Sequence, residues 1–141
     1  EITLTADGNT VTSANLLNII APGSGLEAMV ESDFTGFVYF DNKGTWPGYV
    51  LKLKSDTNLA AAQTSTAKIE QSANLAALYL TSPGAASKNG FKSGSAAGVN
   101  TRYLSFASGA SLNYGWIDNY LVISTSFDGF KKAVSLLQAE E

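Results

Sequence analysis

The stretch Ser111-Leu112-Asn113-Tyr114-Gly115-Trp116-Ile117-Asp118-Asn119-Tyr120-Leu121-Val122-Ile123-Ser124-Thr125-Ser126 decides how this chain folds. Asp118-Asn119 separates two runs of β-forming residues and offers the residue types that a two-residue hairpin turn requires. Such a turn sets Ile117 opposite Tyr120, Trp116 opposite Leu121, Tyr114 opposite Ile123 and Leu112 opposite Thr125. Strands are therefore expected at Ser111 to Ile117 and at Tyr120 to Thr125. One face of the hairpin collects Leu112, Tyr114, Trp116, Leu121 and Ile123. Ser126 then reads as the cap of a final helix, and Asp128 suits its positive first turn. The stripe Phe127, Phe130, Val134 and Leu137 is expected to lie on that same hairpin face.

A similar unit stands upstream. Gly36 to Phe40 reads as a strand, Asp41-Asn42-Lys43-Gly44 as a turn, and Gly48 to Lys54 as the returning strand. In the latter, Tyr49, Leu51 and Leu53 alternate with Val50, Lys52 and Lys54, which predicts one core face and one wet face. From Asp56 to Leu80 the period changes: Leu59, Ala62, Thr66, Ile69, Ala73, Ala76 and Leu80 recur at steps of three and four. This predicts one long helix, capped by Asp56 or Thr57 and ended before Pro83-Gly84. A further strand is expected at Thr101 to Ala107. The fold class is α+β: a mainly antiparallel sheet of about five strands, with the two main helices packed on one face.

The remaining pieces are smaller. Ile2 to Thr5 and Thr10 to Thr12 form a candidate hairpin around Asp7-Gly8-Asn9. A short helix from Ser13 would carry Leu16, Leu17, Ile19 and Ile20 and stop before Pro22-Gly23, and a second helical piece would span Gly25 to Glu31. Residues 83–100, rich in Gly, Ser, Ala and Asn, read as a flexible exposed loop with Phe91 as its one aromatic. The organisation is a single domain over 1–141, with an N-terminal subregion 1–35, a hairpin-helix unit 36–80, the loop 83–100, and strands with the final helix over 101–139.

Composition removes whole classes of function. The chain has no His and no Cys, which takes away thiol and imidazole nucleophiles and the usual ligands of zinc, copper, haem and iron–sulfur centres. No cofactor and no catalytic residue is expected. The nine basic residues are scattered and include one arginine, Arg102, so the basic stripe that nucleic acid demands is missing. No apolar run reaches the length of a membrane span, so direct membrane insertion is not expected. Asp7-Gly8-Asn9 lacks the later oxygen ligands of a calcium loop. Gly94 and Gly98 do not form a phosphate loop. Glu27, Glu31 and Asp33 read as solvated acids, and Lys52 and Lys54 as solvated bases.

What composition favours is a surface of short polar side chains: 16 Ser, 12 Thr and 10 Asn accompany 13 Gly. Such a surface suits an extracellular or cell-envelope protein. The start at Glu1, with no Met, suggests a processed or excised piece of a longer precursor. Aromatics are numerous enough to serve recognition. Tyr103 and Tyr120 are candidate partner contacts because strand alternation sets them opposite the core face; Phe91 is the third, its ring either docking onto the body as a tether or standing out as an anchor for a partner.

Two segments carry a resemblance. The first is Pro47-Gly48-Tyr49-Val50-Leu51-Lys52-Leu53-Lys54-Ser55-Asp56 with the alanine-rich helix after it. The second is Leu112 to Ser126 followed by Phe130-Lys131-Lys132-Ala133-Val134. Each resembles the hairpin-then-helix unit repeated in a family of uncharacterised bacterial envelope proteins, over residues 36–138. The resemblance implies a secreted or membrane-attached envelope domain and brings no catalytic residue with it. The expected function is a non-catalytic extracellular or cell-envelope domain that scaffolds or binds a protein or glycan of the cell surface. The alternative is a carboxylate-based hydrolase acting on a glycan, which requires a cleft with two acids of opposed pKa shift. A ligand carrier would instead need a large apolar cavity.

Overall fold

A computed structural model describes residues 5–6, 9–10, 12–72 and 75–139. At the N-terminus, β1 (Thr5–Ala6) pairs antiparallel with β2 (Asn9–Thr10). The other residues of the expected N-terminal hairpin, apart from Thr12, lie outside the described residues. Helix α1 (Ser13–Ile20) is capped by Thr12, whose Oγ1 accepts from Asn15 N while Asn15 Oδ1 accepts from Thr12 N. Ser13, expected to be the cap, instead donates its hydroxyl to Glu31 O at 2.6 Å. Leu16, Leu17 and Ile20 turn inward, whereas Ile19 stays on the surface.

The main sheet has six strands: β3 (Val30–Asp41), β4 (Gly44–Leu53), β5 (Lys92–Ala96), β6 (Val99–Ser105), β7 (Ser111–Ile117) and β8 (Tyr120–Ser124). Their order is β3-β4-β8-β7-β6-β5, and every pair is antiparallel. The α+β class with a mainly antiparallel sheet therefore holds, with one strand more than expected. The β7–β8 register matches the sequence pairing: Ile117↔Tyr120, Trp116↔Leu121 and Tyr114↔Ile123. Asp118 has φ +51°, as a tight hairpin turn demands of one of its residues.

Three expectations about local structure need correction. The helical piece at Gly25 to Glu31 is one 3₁₀ turn, Leu26–Ala28, and β3 already begins at Val30, with an irregularity of register between Val30 and Phe34. The long helix is α2 (Leu59–Thr66), capped by Asn58 and not by Asp56 or Thr57; two 3₁₀ segments follow, Ala67–Gln71 and Leu75–Leu78. Thr64 and Thr66 donate their hydroxyls to the Ala60 and Ala62 carbonyls, and back-bonding of this kind weakens and bends a helix.

The third correction concerns residues 83–100, of which Lys92–Ala96 form a strand while 83–91 stay irregular and are tied to the end of β6 at a few points. Ala107 N donates to Ala85 O, Ser87 N donates to Ser105 O, and Ala86 bridges Phe106. After an interruption at Gly90 (φ +68°), β5 pairs with β6 from Lys92↔Tyr103 to Ala96↔Val99. Ala97-Gly98 closes that hairpin with both φ values positive, the signature of a type I′ turn.

Helices cover both faces of the sheet. On one face, α1, α2 and the 3₁₀ segments bury Leu17, Leu26, Ala62 and Ile69 against Leu51, Leu112, Leu121 and Ile123. On the other, α3 (Phe127–Ala139) buries Phe130, Ala133 and Val134 against Ala96, Ile117 and Val122. The expectation that both main helices share a face is thus corrected; on β4 the outer face keeps Lys52 and Lys54 exposed as expected, but Val50 packs against the second cluster. Ser126 caps α3 through Gly129 N at 3.1 Å, as expected, but Phe127 is exposed and Gly129 and Ala133 take its place in the stripe. The pairing of β4 with β8 gives a physical test of internal repetition. Two equivalent hairpins joined by antiparallel strands are related by an axis normal to the sheet, which keeps their helices on one face. Here α2 and α3 lie on opposite faces, so the two units are not equivalent in space. Among the described residues, no helix is long and apolar enough to cross a membrane.

Candidate functional site

A groove of about 730 Å³ lies on the α2 side of the sheet. Gln63, Ala67 and Glu70 form one wall; Asn100 and Arg102 of β6, with Tyr114 and Trp116 of β7, contribute from the sheet. The alternation of β6 and β7 puts Arg102, Tyr114 and Trp116 on this face, with Arg102 paired to Tyr114 across the strands.

A network at the groove fixes its electrostatics. Arg102 grips Glu70 with two parallel bonds, Nε to Oε2 at 3.0 Å and Nη2 to Oε1 at 2.7 Å. Its Nη1 donates to Ser93 Oγ at 2.8 Å, so the guanidinium also ties β5 to β6. The Tyr114 hydroxyl donates to Glu70 Oε2. Trp116 Nε1 donates to Thr66 Oγ1 at 3.2 Å, which fixes the angle of a half-buried indole.

Proton chemistry is suppressed in this network. The Arg102 guanidinium, and then the Tyr114 hydroxyl, hold the Glu70 carboxyl below its ordinary range against the opposing effect of partial burial. Burial pushes the Tyr114 hydroxyl up, and its bond to the carboxylate acts in the same direction. Glu70 is therefore a fixed anion with three donors upon it, and Tyr114 a fixed donor. Asp41, at the β3–β4 turn, is also held low, chiefly by Trp46 Nε1 at 3.0 Å. A glycosidase needs an acid raised beside one that stays ionised. Among the described residues, the two carboxyls with a defined shift, Glu70 and Asp41, both move down. Among the described residues, no group of three acidic side chains is placed to hold a metal ion.

The three residues singled out by sequence do not come together. Phe91 docks on the body, its ring edge-to-face with Tyr114 at a centroid distance of 6.0 Å. Tyr103 lies on the opposite face, its ring against Gly94, where it lines a hollow of about 350 Å³ with Phe127 and Asn113. Tyr120 lies on that opposite face too, at the other end of the strands, packed on the α3 cluster and paired with Lys52. From strand spacing and rise, Tyr103 and Tyr120 stand roughly 16 Å apart. Glu27, Glu31 and Asp33 are likewise remote from the groove: Glu31 and Asp33 are exposed on β3.

Comparison with protein-family profiles, with curated proteins and with solved structures finds no match. The groove must be read from its own chemistry.

Sequence reasoning missed Glu70 and Arg102 and gave Tyr114 and Trp116 only a core role. One signal was available. A lone arginine in a strand that packs into a domain has to meet a carboxylate, since its charge does not desolvate unpaired.

Proposed function

We propose that this domain is a non-catalytic binding module of the cell surface and that its groove holds a neutral, hydroxyl-rich ligand, a glycan chain. The observation that carries this reading is the Glu70–Arg102 pair. It cancels the one strong positive charge in the groove, and Asp118 at the rim adds a negative one. A phosphate or carboxylate ligand is thereby disfavoured. What the groove offers is an oriented indole face at Trp116, the exposed amides of Gln63 and Asn100, and the Ser93 hydroxyl. An aromatic platform with short polar groups beside it suits the apolar face and the hydroxyls of a sugar ring. The hydroxyl-rich composition of the chain supports a place outside the cytoplasm.

The test is calorimetric titration with β-linked glucose and N-acetylglucosamine tetrasaccharides, read in parallel by tryptophan fluorescence. Binding is expected to weaken about tenfold, a loss of about 1.4 kcal/mol, in each of Gln63→Ala and Asn100→Ala, whose exposed positions spare the core. Absence of heat and of any spectral change at millimolar sugar, together with no retention on insoluble glycan, would overturn the proposal.

A further inference from the structure

The two edges of the sheet are built differently. The β5 edge is five residues of small and polar type, Lys92 to Ala96, the pattern by which edge strands avoid pairing. The β3 edge is twelve residues long, and among the described residues nothing is paired to its outer side. Its middle, Phe34-Thr35-Gly36-Phe37-Val38-Tyr39-Phe40, holds four aromatics and neither a charge nor a proline. Phe40 is 71% exposed and Val38 36%. A long, uncharged, aromatic edge is a template for another strand.

We propose that two copies of this chain pair through β3, antiparallel, with Val38 on the two-fold axis, so that two six-stranded sheets join into one. A second copy is the fitting partner because the edge is complementary to itself in this register. With Val38 opposite Val38, Thr35 to Asp41 face the same stretch of the partner, and Asp33 comes near the β3–β4 turn that carries the partner's Lys43. Among the described residues, neither Asp33 nor Lys43 has an ion pair within its own chain. Phe37 falls opposite the partner's Tyr39, an aromatic cross-strand pair, and Gly36 receives the partner's Phe40. Registers centred earlier in β3 conflict, and one centred on Tyr39 sets Asp41 against the partner's Phe37. Centring on Phe37 sets Asp33 against the partner's Asp41, and centring on Gly36 sets Glu31 against it; like charges placed directly opposite destabilise a strand pair. Ser13 already occupies the Glu31 carbonyl, which leaves the edge from Asp33 onward for pairing.

The pairing leaves the proposed glycan grooves open. Strand β6 stands four strands away from β3, so the two grooves would sit roughly 43 Å apart at the ends of the joined sheet. The dimer does not depend on what those grooves bind.

A chain without cysteine allows a direct test. Residues facing each other across a strand pair have Cα atoms about 4.5–5.5 Å apart, within disulfide reach, whereas Phe40 and its own copy would be separated by several residues of strand. Val38→Cys under mild oxidant should form a covalent dimer at least tenfold faster than Phe40→Cys. Sedimentation of the unmodified protein should show a dimer that Val38→Lys converts to a folded monomer, with circular dichroism confirming the fold. Mixing Val38→Lys with Val38→Glu should restore association. A protein that sediments as a monomer at all concentrations, or a dimer in which the two cysteine variants cross-link equally, would overturn the proposal.

Discussion

Phe130 is the residue on which the two-faced sheet can be tested. It is fully buried, and its ring tip reaches Gly115 so closely that a Cβ added there would lie 3.1 Å from Phe130 Cζ. Gly115 pairs with Val122, so Phe130 and Val122 share one small cluster with Ile117 and Val134. Phe130→Ala removes a whole ring from this cluster and should cost about 3–5 kcal/mol. At about 4 °C per kcal/mol for a chain of this size, the midpoint of thermal unfolding would fall by about 12–20 °C. That number alone does not say which face α3 covers. A double-mutant cycle does. Phe130→Ala and Val122→Ala remove parts of the same cluster and should couple by about 0.5–3 kcal/mol, whereas Phe130→Ala and Leu112→Ala act on opposite faces and should add within about 0.5 kcal/mol. Urea denaturation of the singles and doubles gives both cycles. Coupling of Phe130 to Leu112 with additivity toward Val122 would place α3 on the other face and refute the three-layer arrangement.

Two further outcomes follow from local geometry. Because Glu70 is held below its unfolded value of about 4.3, its contribution to stability is complete above that pH and is lost as pH falls through the folded value. Glu70→Gln should cost about 1–2 kcal/mol at neutral pH, tempered by the exposure of Arg102, and should flatten the acid limb of stability; identical acid limbs in urea titrations would exclude this role. Ala97 occupies the left-handed region at φ +52°, so Ala97→Asn, which creates the Asn-Gly pair favoured in type I′ turns, should stabilise the chain by about 0.5–1 kcal/mol; a lower melting temperature would contradict the turn assignment.

Sequence reveals register more readily than layer. The turn at Asp118-Asn119 and the alternation on either side specify each β7–β8 pair. Those same residues misassign α3, because Leu112, Tyr114 and Trp116 look like a sufficient core face. The corrective signal is Leu121-Val122-Ile123, an unbroken apolar run. Both parities are buried there, which marks a strand covered on two sides. Strand β5 escapes notice for another reason. Lys92-Ser93-Gly94-Ser95-Ala96 has low β-propensity and little apolar area, and it is held as an edge by pairing with β6 and by Ser93 on Arg102. The groove is harder still to foresee, since Glu70 lies 32 residues from Arg102 and 44 from Tyr114 along the chain.

The unwinding of the predicted long helix and the existence of the groove are connected. Thr66 meets Trp116 and Glu70 meets Tyr114, so a step of four residues along the helical segment matches a step of two along β7. Two strand residues span about 6.8 Å; four residues span about 6 Å in an α-helix and about 8 Å in a 3₁₀ helix, so a segment that changes from one to the other brackets the strand spacing. The segment therefore runs antiparallel along β7 and is pinned to it at both points. Between the pins, Ala67 projects no long side chain, and the groove remains open beside Trp116. An indole held by Thr66 before any ligand arrives has little rotamer freedom left to lose on binding, a saving of about 0.5–1.5 kcal/mol. Thr66→Val keeps the shape and removes that hold. If preorganisation matters, this variant should weaken oligosaccharide binding while Gln63 and Asn100 are untouched, with a larger entropic cost in the calorimeter; unchanged affinity and entropy would mean the indole is set by packing alone.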